Sequence, residues 1–361
     1  MTTLEALPSN HLTDRAGELA ERLFAATIGT LELYSVHVGR RLGLYEILAD
    51  GRPRTVEGLA AEAGIAQRYT REWLEQQAVA GLLDAHQDDG SRHYTLGSDH
   101  ARVLAAADDS LHVAPFASMV AGIGQALPDV VDAYRTGAGV PYVRYGSDFR
   151  DGQGGINRPA FVRLLGSAWL PSVQDVHARL LDGVRVADVG CGHGWSTQAL
   201  ARAYPNSEVV GIDVDEASIR EARMLVPDDL AGRVRFEQAA AADLDGIYDV
   251  VLVLEALHDF GRPIESLAGI RAALADNGDL IVVDERVAES FTAPGDDIER
   301  MMFGWSAVHC LPVAVADGDH GAHGTALRPD AVREIAAQAG FSGVEILPID
   351  DELFRFYRLT P

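Results

Sequence analysis

Short apolar blocks alternate with amphipathic segments over the C-terminal half of this chain of 361 residues. The blocks are bounded by glycine and polar residues and predict strands, whereas the segments between them repeat apolar residues every three to four positions and predict helices. The strands are expected at 184–189, 209–213, 234–238, 249–254, 280–284, 343–346 and 353–359, and the helices at 196–204, 216–224, 264–275 and 329–339. This alternation predicts an α/β domain with a mostly parallel seven-stranded sheet, helices on both faces and an antiparallel edge from the last two strands.

The N-terminal part of the chain has a different pattern. Apolar residues recur every three to five positions through 18–48, which predicts a long helix. The other predicted elements are a helix at 55–64, capped by Thr55 and ended by Gly64, a helix at 69–83, and a hairpin of strands at 83–86 and 93–96. This order of elements is that of a winged helix within a mainly helical domain.

The segment between these two patterns, 107–181, is predicted to be mostly helical, with breaks at 137–141 and 151–155. We therefore divide the chain into a winged-helix-like domain at 1–106, this helical linker, and the α/β domain at 182–361. Aromatic residues of the linker are candidates for a substrate wall, although aromatic side chains on helices more often belong to a core. The candidates are Tyr145, Phe161 and Trp169.

The charge balance limits the partners of the protein. The chain has 54 acidic and 30 basic residues, for a formal net charge of −24. Duplex DNA binding needs a basic surface, and the second predicted helix offers Arg68 and Arg71 for it. Glu72 and Glu75 stand beside these arginines. Although a winged helix normally suggests DNA, the balance predicts that nucleic acid and anionic membranes are not partners.

Three further features concern location and assembly. The two cysteines, Cys191 and Cys310, are too few for a disulfide framework, so a reduced, cytoplasmic protein is predicted. The N-terminus lacks the pattern of a signal peptide, and no apolar run is long enough to span a bilayer. The helix at 18–48 is longer than a small winged helix needs to cover its own core, which predicts a homodimer.

A glycine-rich loop follows the first predicted strand of the α/β domain. The segment 186–197 reads VADVGCGHGWST, in which an apolar run meets Asp188 and then three alternating glycines before a helix start. A dinucleotide fingerprint needs glycine where Trp195 stands, and the chain contains no lysine, which excludes a Walker-type phosphate loop and a Schiff base. The predicted ligand therefore carries a ribose and an adenine without a pyrophosphate. Asp213, at the end of the next strand, is the expected partner of the ribose hydroxyls.

This pair of motifs resembles the class I S-adenosylmethionine-dependent methyltransferases, in which an acidic-x-G-x-G-x-G loop is followed by an acidic strand end. The resemblance implies a Rossmann-like fold and S-adenosyl-L-methionine as the cofactor. The cofactor contacts that it implies are Asp188, Gly190, Cys191, Gly192, Gly194, Asp213, Val214, Ala240, Ala241 and Glu255. One position departs from the family pattern, because Ala240 stands where an aspartate commonly accepts from the adenine amino group. Either Asp243 reaches the adenine by another loop path, or backbone groups and water serve it.

A second motif, at 254–259, reads LEALHD and follows the fourth predicted strand. It resembles the strand-then-His-Asp motif of small-molecule O-methyltransferases, many of which begin with a winged-helix-like dimerisation module. The resemblance implies that His258 is the general base, oriented by Glu285 at the end of the fifth strand or by the neighbouring Asp259. Histidine suits this role because its ordinary pKa of about 6.5 lets it take a hydroxyl proton at neutral pH. The alternative is that His258 only orders its loop.

An apparent insertion at 298–324 is expected to form an apolar lid over the acceptor. The lid residues proposed as substrate contacts are Met302, Trp305 and His309. His320 and His323 are spaced to share a metal, but no acidic or cysteine partner stands at ligand spacing. A solvated loop and no metal are therefore predicted there.

The sequence thus predicts methyl transfer from S-adenosyl-L-methionine to a small organic acceptor, with a hydroxyl group as the expected target. Two alternatives stay open. One is N- or C-methylation of a small metabolite, in which His258 positions the substrate without deprotonating it. The other is a winged-helix transcriptional regulator that binds the cofactor without catalysis. The place of His258 and the acidic charge favour the enzyme.

Overall fold

The computed structural model describes residues 15–88, 90–318 and 322–361. The chain forms two compact units, with the division between Ala101 and Arg102. The helical segment at 107–181 and the α/β part belong to the same unit. No helix in the described ranges is both long enough and apolar enough to cross a membrane.

The first unit has the elements of a winged helix. They are α1 (Arg15–Arg41), α2 (Leu44–Leu48), α3 (Val56–Ala63), α4 (Gln67–Val79), β1 (Asp84–Asp88) and β2 (Ser91–Thr95), followed by α5 (Ser98–Leu104), which crosses the division. The single helix predicted at 18–48 is wrong, because Gly43 adopts a left-handed backbone (φ 65°) and separates α1 from α2. Thr55 caps α3 by accepting from the N–H of Gly58, and Gly64 ends it, as predicted. β1 and β2 pair antiparallel as the predicted hairpin.

Helix α1 buries few of its apolar side chains within its own unit. Its buried residues are Val36 and Gly39. A Cβ at Gly39 would lie 2.6 Å from the ring of Trp73, so α1 packs closely on α4 at this point. By contrast, Leu23 and Phe24 are 59% and 66% exposed. The N-terminal turns of α1 therefore present an apolar face to solvent.

The second unit begins with helices. They are α6 (Pro115–Thr136), α7 (Gly146–Ala160), α8 (Leu170–Ser172) and α9 (Gln174–Asp182), with a 3₁₀ turn at Tyr142–Tyr145 and a π-helical stretch at Phe161–Trp169. The predicted break at 137–141 is confirmed, but the one at 151–155 is wrong, because these residues lie inside α7. Their glycines permit close packing, since a Cβ at Gly154 would lie 2.7 Å from Nδ1 of His193. Helix α7 therefore packs directly on the glycine loop.

A seven-stranded sheet forms the rest of the unit. Its strands are β3 (Arg185–Val189), β4 (Glu208–Asp213), β5 (Val234–Gln238), β6 (Tyr248–Leu254), β7 (Leu274–Glu285), β8 (Gly343–Ile346) and β9 (Phe354–Thr360), and its helices are α10 (Trp195–Ala203), α11 (Glu216–Met224), α12 (Pro263–Ala272), α13 (Asp297–Trp305), α14 (Leu311–Asp317) and α15 (Pro329–Gln338). The strand order is β5-β4-β3-β6-β7-β9-β8. Strand β9 pairs antiparallel with both β7 and β8, and all the other pairs of neighbouring strands in this sheet are parallel. The predicted mostly parallel sheet with an antiparallel edge is confirmed.

Apolar side chains cover both faces of this sheet. Val186 and Leu252 belong to the core on one face, together with Trp169. Ala187 and Val251, the next residues along the same strands, belong to the core on the other face. Burial on both faces explains why these strands appear in the sequence as nearly continuous apolar runs.

The order of the strands determines where a ligand can bind. The chain proceeds from β3 outward to β5 and then returns to β6 on the other side of β3. Such a reversal leaves a crevice outside the carboxyl ends of β3 and β6. The glycine loop follows β3 and the loop of His258 follows β6, so the topology brings both sequence motifs to this crevice.

Candidate active site

The glycine loop between β3 and α10 requires its glycines. Gly190, Gly192 and Gly194 all have left-handed backbones, with φ of 78°, 50° and 75°. A Cβ at Gly190 would lie 2.5 Å from that of Ala256, and a Cβ at Gly194 would overlap the ring of Phe236. The loop therefore lies directly against β5 and the turn after β6, which leaves its backbone facing the crevice.

Asp188 binds the first turn of α10, the helix that follows this loop. Its Oδ2 accepts hydrogen bonds of 2.6 Å from the hydroxyls of Ser196 and Thr197. Burial raises the pKa of Asp188 to about 6, although the two hydroxyls partly offset this effect. Asp188 and Gly194 were both predicted to contact the cofactor, but neither lines the crevice: Asp188 bonds to the start of α10, and Gly194 packs against Phe236.

Asp213 holds the loop in place from the end of β4. Its Oδ2 accepts from the N–H of Gly192 at 2.8 Å, and its Oδ1 accepts from the N–H of Asp215 at 2.8 Å. Burial raises the pKa of Asp213 above its ordinary value. A carboxylate offers about four acceptor positions, so two of them stay available to a ligand in the crevice.

The crevice is a cavity of about 600 Å³. Eight of the ten predicted cofactor contacts line it, namely Gly190, Cys191, Gly192, Asp213, Val214, Ala240, Ala241 and Glu255. Asp243 also lines it, on the short turn after β5, so the cavity contains an acidic side chain near the alanine at position 240. Helix α7 adds Arg150, which the sequence did not indicate and whose Nε donates to Oδ2 of Asp215 at 2.8 Å.

A second cavity, of about 320 Å³, adjoins the first. Its wall is mainly apolar and includes Phe116, Met119, Phe149, Met302 and Trp305. Its polar residues include Glu255, His258, Glu285 and His309. The two cavities share three lining residues, which therefore lie at the junction between them. These residues are Gln153, Asn157 and Glu255.

The predicted substrate contacts divide into three groups. Met302, Trp305 and His309 line the second cavity, whereas Phe161 lines the first. Tyr145 lines neither, because its ring is buried in the helical core and its hydroxyl donates to the carbonyl of Val308. Trp169 lines neither, because it belongs to a core of the sheet.

Carboxylates surround His258 on the short turn after β6. Its Nδ1 lies 2.7 Å from Oδ1 of Asp284 and 3.0 Å from Oε2 of Glu285, and its Nε2 lies 3.4 Å from Oδ1 of Asp259. The sequence indicated Glu285 and Asp259 as partners. It did not indicate Asp284, the closest of the three, although both Asp284 and Glu285 at the end of β7 approach Nδ1.

The protonation of this cluster follows from its burial. Burial alone lowers the pKa of His258, but the carboxylates of Asp284 and Glu285 outweigh it and raise this pKa well above its ordinary value. Burial raises the pKa of Glu285 to about 8. For Asp284 the attraction of His258 prevails over burial, and the pKa falls below its ordinary value. The cluster therefore contains a close ion pair between His258 and Asp284.

His309 occupies a π-helical turn, Ser306–Cys310, beside the second cavity. Its ring stacks on Phe149 with centroids 3.8 Å apart, and its Nδ1 lies 3.4 Å from Sγ of Cys310. Burial lowers the pKa of His309 to about 3. Its Nε2 has no hydrogen-bond partner among the described residues. His309 is therefore a neutral imidazole with one nitrogen available to a ligand.

Three groups of side chains in the described part of the chain bring possible metal-ligating atoms within 4.8 Å of one another. They are His258 with Asp259 and Cys310, His258 with Asp284 and Glu285, and Asp151 with His193 and Glu221. The prediction on His320 lies outside the described residues. The prediction that the protein needs no metal stays a prediction.

Comparison with known proteins identifies the class that this fold and site define. Residues 180–344 match the family model of a methyltransferase domain. Residues 29–106 match the model of the Rv2258c-like winged HTH domain. The chain therefore contains a region that matches a winged HTH domain, followed in the sequence by a region that matches a methyltransferase domain. Its sheet is that of the class I methyltransferase fold.

Solved structures resemble the chain over nearly its whole length. The mitomycin 7-O-methyltransferase MmcR is 18% identical, with a TM-score of 0.68 over 97% of this chain and 99% of that one. Human N-acetylserotonin methyltransferase, solved in complex with SAM, is 16% identical, with a TM-score of 0.68 over 98% of this chain and 99% of that one. At this identity the likeness shows the fold alone.

Curated relatives match shorter segments. The ubiquinone biosynthesis O-methyltransferase of Acinetobacter baylyi is 29% identical over 108 residues, which is 29% of this chain and 44% of that protein. The chain spans less than half the length of the curated relatives that it matches first.

Proposed function

We propose that this protein is an S-adenosylmethionine-dependent methyltransferase that methylates a hydroxyl group of a small organic acceptor. One observation carries the proposal: a cavity over the glycine loop opens into an apolar cavity that has His258 and Glu285 in its wall. A reaction between two bound molecules needs adjoining sites that hold the reacting atoms in contact. The two cavities adjoin each other, because they share three lining residues.

The first cavity suits the cofactor. Its volume of about 600 Å³ is that of a small-molecule site. Asp213 retains acceptor positions for ribose hydroxyls, and we assign the adenine amino group to Asp243, which lines the same cavity. Arg150 offers further N–H donors to the carboxylate of the cofactor. When bound, S-adenosylmethionine supplies a methyl group on a positively charged sulfur.

His258 takes the proton that the acceptor hydroxyl loses. In the neutral form of His258, which becomes populated as the pH rises above its raised pKa, contact with Asp284 and Glu285 favours the tautomer with its hydrogen on Nδ1 and leaves Nε2 to accept a proton. The carboxylate of Asp284 stabilises the imidazolium that results, which makes His258 a stronger base than an isolated histidine. The wall of the second cavity around His258 is mainly apolar, which suits a flat organic acceptor.

The experiment that tests the proposal follows labelled methyl groups. Label from methyl-labelled S-adenosylmethionine is expected on oxygen in at least one member of a panel of phenols, and not on matched anilines or carbon acids. Label on nitrogen or carbon alone would overturn the choice of hydroxyl. Absence of transfer to every acceptor, together with tight cofactor binding, would favour the regulator.

Binding to DNA provides a second test of the regulator. The net charge of −24 repels phosphates, and in α4 Arg68 lies 2.5 Å from Glu72 in an ion pair, which reduces its availability to DNA. Duplex DNA is therefore expected to bind with a dissociation constant of about 10⁻⁴ M or weaker at physiological salt. Gel shifts at several salt concentrations measure this. A sequence-selective shift at nanomolar protein would contradict the expectation.

Helix α1 supports a dimer as part of the same proposal. Leu23 and Phe24 are 59% and 66% exposed on a helix of 27 residues, and a second copy of α1 would bury them. Light scattering is expected to give about twice the chain mass of 38.7 kDa. Replacement of Phe24 by glutamate should shift the particle to the single-chain mass. A single-chain mass for the native protein across working concentrations would contradict the proposed dimer.

A further inference from the structure

Glu255 occupies the junction between the two cavities. It directly follows β6, and its side chain lines both cavities, as do the amide side chains of Gln153 and Asn157 from α7. The hydroxyl of Tyr142 donates to Oε1 of Gln153 at 2.8 Å, so the amide nitrogen is the group that Gln153 can offer a ligand. These three polar residues therefore lie where the two cavities meet. Under the proposed function, the reacting atoms of the cofactor and the acceptor come together at this junction.

The backbone of Glu255 is strained. Its φ is 57°, and no other non-glycine residue in the described part of the chain has a positive φ. The left-handed conformation is unfavourable for a side chain such as glutamate. The N–H of Glu255 donates to the carbonyl of Val283 at 2.8 Å, which anchors this conformation to β7. Strain held by the fold at a ligand-sized opening indicates a functional side chain.

The carboxyl group of Glu255 has an unused polar atom. Its Oε1 is buried and has no hydrogen-bond partner among the described residues. Burial, and then the nearby carboxyl groups of Glu285 and Asp284, raise the pKa of Glu255 well above its ordinary value. A buried carboxyl oxygen without a partner needs one, and a carboxyl group can donate a hydrogen bond to a ligand oxygen when it carries its proton.

We propose that Glu255 binds the acceptor by hydrogen-bonding to a second oxygen atom next to the reacting hydroxyl. The inference rests on the proposed function, because it takes the second cavity as the acceptor site. It assigns a substrate class, namely phenols with a hydroxyl or carbonyl oxygen on the neighbouring ring position. Glu255 is thus a specificity-determining residue in addition to His258.

The spacing of Glu255 and His258 supports a pair of adjacent oxygens. Both residues lie beside Glu285, whose Oε2 is 3.0 Å from Nδ1 of His258 and whose carboxyl group raises the pKa of Glu255. Glu255 and His258 stand three residues apart in the chain, and both line the second cavity together with Glu285. Oxygens on neighbouring ring carbons can meet both groups at once. The apolar wall of Phe149 and Trp305 suits the flat ring that carries them.

The test measures binding of two matched probes to the complex of the protein with S-adenosylhomocysteine. The probes are 2-naphthol and 2,3-dihydroxynaphthalene, which differ only in the adjacent oxygen. The native protein is expected to bind the diol about tenfold more tightly, the effect of one hydrogen bond. Glu255→Gly should abolish this preference, whereas Glu255→Gln, which keeps an N–H donor, should retain most of it.

The glycine variant keeps the test clear of folding defects. Glycine adopts a positive φ at no steric cost, so Glu255→Gly relieves the strain while it removes the carboxyl group. Glu345→Gln, an exposed glutamate on β8, is the matched control and should keep the native preference. A diol preference that survives in Glu255→Gly, or equal binding of both probes to the native protein, would overturn the inference. Loss of methyl transfer with the binding preference intact would instead count against the proposed function alone.

Discussion

Replacement of Asp213 by alanine is expected to weaken S-adenosylhomocysteine binding by roughly 1.5–3 kcal/mol for each ribose hydrogen bond lost, because these bonds are charge-assisted. The structure adds a second reason for a large effect. The carboxylate of Asp213 accepts from the N–H groups of Gly192 and Asp215, so alanine also releases the glycine loop and the turn after β4. Two hydrogen bonds lost would lower the affinity by about two orders of magnitude or more.

Titration calorimetry on the folded variants measures this effect. Asp213→Asn separates its two causes, because an asparagine keeps one oxygen acceptor for the loop but has no negative charge to offer the ribose. Asp228→Ala, an exposed carboxylate on the turn before β5, is the matched control and should bind as the native protein does. Native affinity in Asp213→Ala would remove Asp213 from the cofactor site.

The sheet could be predicted from sequence because its strands are buried on both faces. Blocks such as Val209 to Ile212 have no polar residue to interrupt them, and each is followed by an amphipathic helix. Left-handed glycines between such a block and a helix mark the loop that binds the ligand. Local patterns therefore predicted the mostly parallel sheet and the place of Asp213 at the end of its strand.

The helical part was harder to predict because tertiary packing overrides local preference there. Three glycines between 151 and 155 favour a break by propensity. In the structure they lie inside α7, where Gly154 lets the helix approach His193. The opposite error occurred at Gly43, where a single glycine in an apolar pattern did end a helix. Whether a glycine ends a helix at these positions depends on tertiary contacts, and the local sequence does not contain that information.

The acceptor site was only partly predictable because its residues come from separate elements. The motif at 254–259 located His258, but Asp284 and Glu255 acquire their roles from the register of β7 and a left-handed backbone. Gln153 and Asn157 lie on α7 without any recognisable motif. Aromatic character did not separate cavity from core, since Trp305 lines the second cavity and Tyr145 does not.

Replacement of His258 by alanine is expected to slow methyl transfer by about 10²–10⁴-fold while leaving S-adenosylmethionine affinity nearly unchanged. The affinity should persist because His258 lines the second cavity and not the first. Alanine also leaves the buried carboxylate of Asp284 without its closest partner, which lowers stability. His258→Gln is therefore the second variant, because its amide can still donate to Asp284. His323→Ala, an exposed histidine in the same unit, is the matched control.

The pH dependence distinguishes a base from a residue that only positions the acceptor. Neutral imidazole alone can take the proton, so the single-turnover rate of the native enzyme should rise with pH through the titration of His258. Because Asp284 and Glu285 raise the pKa of His258, the midpoint of this rise should lie above the ordinary value of about 6.5. The measurement is the single-turnover rate against pH for the native protein and both variants, with one accepted phenol. A glutamine variant that keeps the native rate and the native pH profile would exclude proton transfer to His258, and with it the main argument for oxygen as the acceptor atom.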